Sequence, residues 1–138
     1  MAMVPLHKLF GRSALRETRV LHARGRHDLP DGEYAFVESY CDDPGCDCRR
    51  VLISVVSREA DGRIFATINY GWEVMSFYEQ WLEDDRDAED CKGPSLEPIN
   101  PQSAYSSVLL LLFKEMLSDT EYVERFSTHY AMVKRSAA

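Results

Sequence analysis

Three cysteines, Cys41, Cys46 and Cys48, fall within the stretch YCDDPGCDCRR (Tyr40 to Arg50), and the chain's fourth, Cys91, stands far from them. Thiolates at close spacing are ligands for zinc, which in structural sites takes four of them tetrahedrally at about 2.3 Å. Asp43-Pro44-Gly45 can turn the chain tightly, so the loop itself converges the three thiols on one point. The expectation is one structural zinc ion per chain, held by Cys41, Cys46, Cys48 and Cys91 in a zinc-knuckle-like hairpin turn. Such a site is coordinatively full and serves folding rather than catalysis. An iron-sulfur cluster and a cysteine-rich turn without metal are the alternatives. If a histidine replaced Cys91, then His129, His22, His27 and His7 are the candidates. His129 neighbours core-facing Tyr130 on a helix, and its plainer reading is a partly exposed side chain with a local hydrogen bond.

Four thiolates around one divalent cation leave a negative centre, which Asp42, Asp43, Asp47, Glu89 and Asp90 worsen. Arg49, Arg50 and Lys92 are placed to offset this as donors to sulfur. A disulfide needs an oxidising compartment that nothing in the sequence indicates, and Cys46 and Cys48 are too close in the chain for an easy bridge. A redox-sensitive zinc-thiol switch is a further functional alternative, since thiols released from metal oxidise.

Other chemistry has weaker support. The acidic run Glu83 to Asp90 lacks the alternating ligands and central glycine of a calcium loop and reads as solvated. Tyr70 and Trp72, in YGWE, could line a small-molecule pocket of an enzyme, although core packing is the better account of them. Ser103, Ser106 and Ser107 read as helix-surface or capping residues, because no Gly-x-Ser-x-Gly elbow is present. Zinc-hydrolase and deaminase motifs are missing, as are the glycine-rich phosphate loops, so no catalytic residue is assigned.

The elements that must position the cysteines follow from periodicity. A turn at Pro30-Asp31-Gly32 precedes a strand over Glu33 to Cys41. RRVLISVVSR gives a second, apolar enough to be covered on both sides, and RIFATINYG a third after the turn Glu59 to Gly62. Val74, Phe77, Tyr78, Trp81 and Leu82 then lie on one helical face. Residues 83–100 form a long acidic, proline-containing loop that needs an anchor. Asn100 and Pro101 read as N-cap and first residue of a central, buried helix through Met116, and Ser118 with Glu121 as the capping box of a last helix carrying Tyr122, Phe126, Tyr130 and Val133. Residues 1–27 are ambiguous, with Leu6, Leu9 and Phe10 on a short amphipathic turn and an edge strand over Thr18 to Ala23. The fold class expected is α+β, a three- or four-stranded antiparallel meander packed against about three helices in a single domain, 1–138.

Composition bounds the rest. The chain has 138 residues, 45% hydrophobic and 28% charged, and no apolar run that spans a bilayer. A net charge of -7 disfavours nucleic acid and anionic lipid, and the basic residues between Lys8 and Arg26 read as a solvated face. No secretory or transit signal opens the sequence, so a cytoplasmic location is expected. The functional expectation is a zinc-stabilised protein-interaction or accessory module whose partner is another protein.

Overall fold

A computed structural model describes residues 3–82 and 85–138; Glu83 and Asp84, at the head of the acidic run, lie outside the described residues. The elements in chain order are β1 (Met3–Pro5), α1 (Leu6–Arg16), β2 (Arg19–Ala23), β3 (Gly32–Cys41), β4 (Arg50–Ser57), β5 (Arg63–Gly71), α2 (Met75–Trp81), α3 (Asp85–Lys92), β6 (Ser95–Leu96), α4 (Ser106–Met116) and α5 (Thr120–Ala137). The fold is α+β, as expected, and the described residues form one antiparallel sheet of six strands and five helices.

The central meander β3-β4-β5 lies where strand propensity places it, with Phe36 opposite Val55 and Ile53 opposite Ile68. Beyond it the sheet is wider than the expected three or four strands. β1 and β2 share the outer side of β3, β1 pairing Met3 with Cys41 and β2 pairing Arg19 with Phe36. The two thus act as one edge strand interrupted by α1. β6 closes the other edge on β5, pairing Ser95 with Asn69. Strands of three and two residues are too short to carry a period, which is why β1 and β6 leave no sequence signal.

Alternation sets the two faces. In β4, Val51, Ile53, Val55 and Ser57 are buried while Arg50, Leu52, Ser54 and Val56 are only half-buried, so this strand is covered on one side rather than both. The covered face meets α4 and α5 through an aromatic core: Phe113 against Phe36 and Tyr70, and Phe126 against Tyr70, Trp72 and Tyr122. Phe36, Phe113, Tyr122 and Phe126 are fully buried. Each contributes roughly 1.5 to 3 kcal/mol by leaving water, enough to make this layer the principal anchor. α4 is not central: Leu109 and Phe113 face the sheet, but Leu111 is 59% exposed. A run of four leucines wraps the helix, and the sheet covers only one side of it.

Three local expectations are corrected. The stretch 83–100 is not structureless, since it holds α3 and β6. Asn100 and Pro101 do not start the next helix, whose first helical residue is Ser106. Gln102 intervenes, bonding β5 with its amide like a further strand: Oε1 accepts from Thr67 N at 3.2 Å and Nε2 donates to Thr67 O at 2.8 Å. That competition for the sheet edge outweighs the N-cap signal. Finally, α5 is capped by Asp119, whose carboxylate accepts from the amides of Glu121 and Tyr122, and not by Ser118, whose hydroxyl turns back to Glu115 O.

Candidate metal centre

The cysteine loop leaves β3 at Cys41 and re-enters the sheet at Arg50. Asp43 builds its turn: the side chain accepts from Gly45 N at 2.9 Å and the carbonyl from Cys46 N at 3.1 Å. Arg49 then takes a positive φ of 45°, a conformation that costs a non-glycine residue about 1 kcal/mol or more. Its guanidinium offsets that cost, donating to Asp47 at 3.0 and 2.9 Å and to Glu73 at 2.6 Å, and lying 4.5 Å from the ring of Phe77. Its carbonyl accepts from the Tyr78 hydroxyl at 2.8 Å. α5 holds the other flank, with Tyr130 donating to Asp47 at 2.9 Å and Lys134 to Asp43 O at 2.6 Å. The loop is thus braced by both chain segments that follow the meander.

Within this frame the sulfurs of Cys41, Cys46 and Cys48 lie within 4.8 Å of one another and could hold a metal ion. Cys41 and Cys48 are fully buried, and Cys46 is half-buried, so the group opens toward solvent on one side only. Burial and the neighbouring thiols of Cys48 and Cys41 push the Cys46 thiol up to about 12. The Cys46 thiol thus resists ionisation when alone, and a bound cation reverses that preference by supplying the missing positive charge. Asp47, by contrast, is held below the usual carboxylate range by Arg49, assisted by Tyr130 and opposed by partial burial.

Cys91 is not one of the three clustered residues. It sits near the end of α3, half-buried, and its carbonyl accepts from Asn69 Nδ2 at 2.8 Å. That carbonyl lies close over Gly71, whose ladder partner is Arg50, two residues past Cys48. α3 therefore covers the same end of the sheet as the cysteine loop. Of the three cations expected near sulfur, Arg49 bonds Asp47 and Glu73, Arg50 bonds Asn69 Oδ1, and Lys92 bonds the carbonyls of Gly71 and Glu73. The two arginines thus tie neighbouring side chains together, and Lys92 ties the end of α3 to the backbone around the end of β5.

The histidines stand elsewhere. His129 is not partly exposed but 3% exposed, bonded through Nδ1 to Glu38 and through Nε2 to Glu17, each at 2.6 Å. Phe126, His129, Tyr130 and Val133 form one helical stripe at intervals of three and four, a signal that was available in the sequence. His22 and His27 are exposed, and His7 lies half-buried on α1. Tyr70 and Trp72 are taken up in core packing, Trp72 lying 5.3 Å from Tyr130 and 6.4 Å from Tyr40 between ring centroids. Among the described residues no helix is long and apolar enough to cross a membrane.

Comparison with protein-family models, with curated proteins and with solved structures found no match.

Proposed function

We propose that this protein binds one structural zinc ion through Cys41, Cys46, Cys48 and Cys91, and that the metal-fastened fold serves as a cytoplasmic protein-interaction or accessory module. The observation that carries the reading is the approach of three sulfurs within 4.8 Å of one another. A tetrahedral site with bonds of about 2.3 Å needs sulfurs about 3.8 Å apart, so small side-chain adjustments suffice. Zinc suits an all-thiolate set, and a fourth thiolate from Cys91 would pin α3 to the end of the sheet. With four protein ligands no position is left for substrate, which favours a folding role over catalysis.

Elemental mass spectrometry of freshly purified, untagged protein, with accessible thiols counted before and after chelation, tests the metal. One zinc per chain, with thiols appearing only on chelation, is the expected result. Metal-free protein with all thiols reactive would overturn the proposal. Cys48→Ser should abolish binding, and Cys91→Ser should lower both bound zinc and melting temperature. Unchanged values in Cys91→Ser would remove that residue from the ligand set.

A further inference from the structure

The face of the sheet turned away from α4 and α5 holds a cleft of about 510 Å³. Its floor is the row Ser39, Leu52 and Asn69, adjacent across three strands, with Ser54 beyond it on β4. Arg50 and Glu97 also line it. The volume falls in the range of small-molecule sites.

Arg50 is the unusual member. Arg19, Arg26, Arg49 and Arg58 are each paired with a carboxylate; Arg50, like the exposed Arg63, Arg125 and Arg135, has no carboxylate partner among the described residues, but unlike them it is half-buried. Its Nη1 donates to Asn69 Oδ1 at 3.1 Å, and its Nε is buried without a hydrogen-bond partner. Asn69 is itself 2% exposed, and its amide nitrogen is committed to the carbonyls of Asp90 and Cys91, each at 2.8 Å. That commitment turns the Asn69 oxygen toward Arg50 and fixes the guanidinium. The guanidinium also lies 5.9 Å from the ring centroid of Trp81, and a partly desolvated, fixed guanidinium without a carboxylate is a receptor for a planar anion, which it can bind through two donors at once.

The rest of the cleft narrows the ligand. The hydroxyls of Ser39 and Ser54 make no hydrogen bond among the described residues, and Leu52 supplies an apolar patch between them. Glu97 pairs with no cation among the described residues and would repel a second negative charge. The geometry points to a binding site for a small monocarboxylate, its carboxylate on Arg50 and a hydroxyl or amino group toward Ser54 and Glu97. The site uses none of the sulfurs, although Asn69 joins it to the carbonyl of Cys91 and Arg50 to the strand that follows Cys48.

The test is an amide NMR titration of the full chain, as purified with any metal it carries, using 6-aminohexanoate, 4-hydroxybenzoate and inorganic phosphate as probes. The expected result is saturable shifts at Ser39, Leu52, Ser54 and Asn69 with at least one of the two carboxylates. Affinity should fall tenfold or more in Arg50→Gln, fall a few-fold in Ser54→Ala and be unchanged in Arg63→Gln. The amide spectrum of each variant reports whether it is folded, and Ser54→Ala keeps the test open if Arg50→Gln is not. Silence of both carboxylates up to about 10 mM, weaker than any specific site of this size should be, would overturn the inference. So would shifts confined to phosphate, or binding indifferent to Arg50 and Ser54.

Discussion

The imidazole of His129 and the carboxylate of Glu38 meet at 2.6 Å inside the protein, each about 4% exposed and 91 residues apart in sequence. Glu17 from the end of α1 closes on the opposite ring nitrogen, and the Tyr40 hydroxyl donates to the same Glu38 oxygen at 2.6 Å. With a carboxylate at each nitrogen, both nitrogens donate only when the ring is an imidazolium. The arrangement ties α1 and α5 to β3 through one side chain.

This bond makes stability depend on pH in a definite direction. Burial alone would lower the His129 value, but the hydrogen bonds and charges of Glu38, and then of Glu17, outweigh it and the value is raised. A folded value above the unfolded one, about 6.5, gives stabilisation that is complete below about pH 6.5 and is lost as pH rises through the folded value. His129→Gln should therefore cost roughly 3 kcal/mol at pH 6, where a buried ion pair is broken, and distinctly less at pH 9. Urea unfolding of both proteins at the two pH values measures this. An equal cost at both would mean that the ring is neutral throughout.

The braces on the cysteine loop predict a separate, smaller effect. Tyr130 donates to Asp47 at 2.9 Å and reaches Cys46 O at 3.5 Å, and neither contact involves a sulfur. Tyr130→Phe should lose about 1 kcal/mol of stability, the ordinary worth of such a bond, while keeping the cysteine geometry. On the proposed zinc reading, bound metal should be retained in full but released faster to a chelator, because the loop opens more readily. Release at the wild-type rate would show that the Tyr130 hydroxyl does not brace the loop.

What the sequence disclosed and what it hid have physical causes. Cys41, Cys46 and Cys48 were legible because their convergence is local, made by Asp43-Pro44-Gly45 within eight residues. β3, β4 and β5 were legible because each is long enough to alternate. The pairing of β1 and β2 end to end on β3, and of β6 on β5, depends on partners distant in sequence, which no local period encodes. Gln102 was hidden for the same reason: its side chain imitates a strand, and only the fold brings Thr67 beside it. The Arg50 cleft combines residues from four strands and the segment after β6, each unremarkable alone.

Gly71 is where α2, α3 and the sheet crowd together. A β-carbon there would collide with the Tyr78 hydroxyl and come within 3.0 Å of the Cys91 carbonyl. The hydroxyl cannot retreat without giving up its bond to Arg49 O. Gly71→Ala should cost about 1 to 3 kcal/mol, as overpacking does. Adding Tyr78→Leu removes both colliding atoms, the hydroxyl oxygen and the ring Cζ, so the double variant should recover part of that loss relative to the sum of the single changes. Strict additivity in thermal or urea unfolding would show that the two residues do not clash.

Gln102 allows the strand mimicry to be tested by charge. Its Oε1 accepts from Thr67 N and from Ser106 Oγ, while its Nε2 donates to the carbonyls of Thr67 and Glu97 at 2.8 and 2.9 Å. Thr67 is 1% exposed, so water cannot readily replace these bonds. Gln102→Ala should cost about 1 to 3 kcal/mol by leaving the Thr67 amide unsatisfied, with faster hydrogen exchange at that amide. Gln102→Glu keeps the acceptor but turns a carboxylate oxygen toward two carbonyls. Its folded-state value should be raised, so its deficit grows as pH rises above the ordinary glutamate value of about 4.3, where the unfolded chain ionises first. At pH 4 the protonated acid can still donate to one carbonyl, and Gln102→Glu should then be the milder of the two variants. At pH 7 the order should reverse. An unchanged order across that range would mean that the side chain is not held against β5.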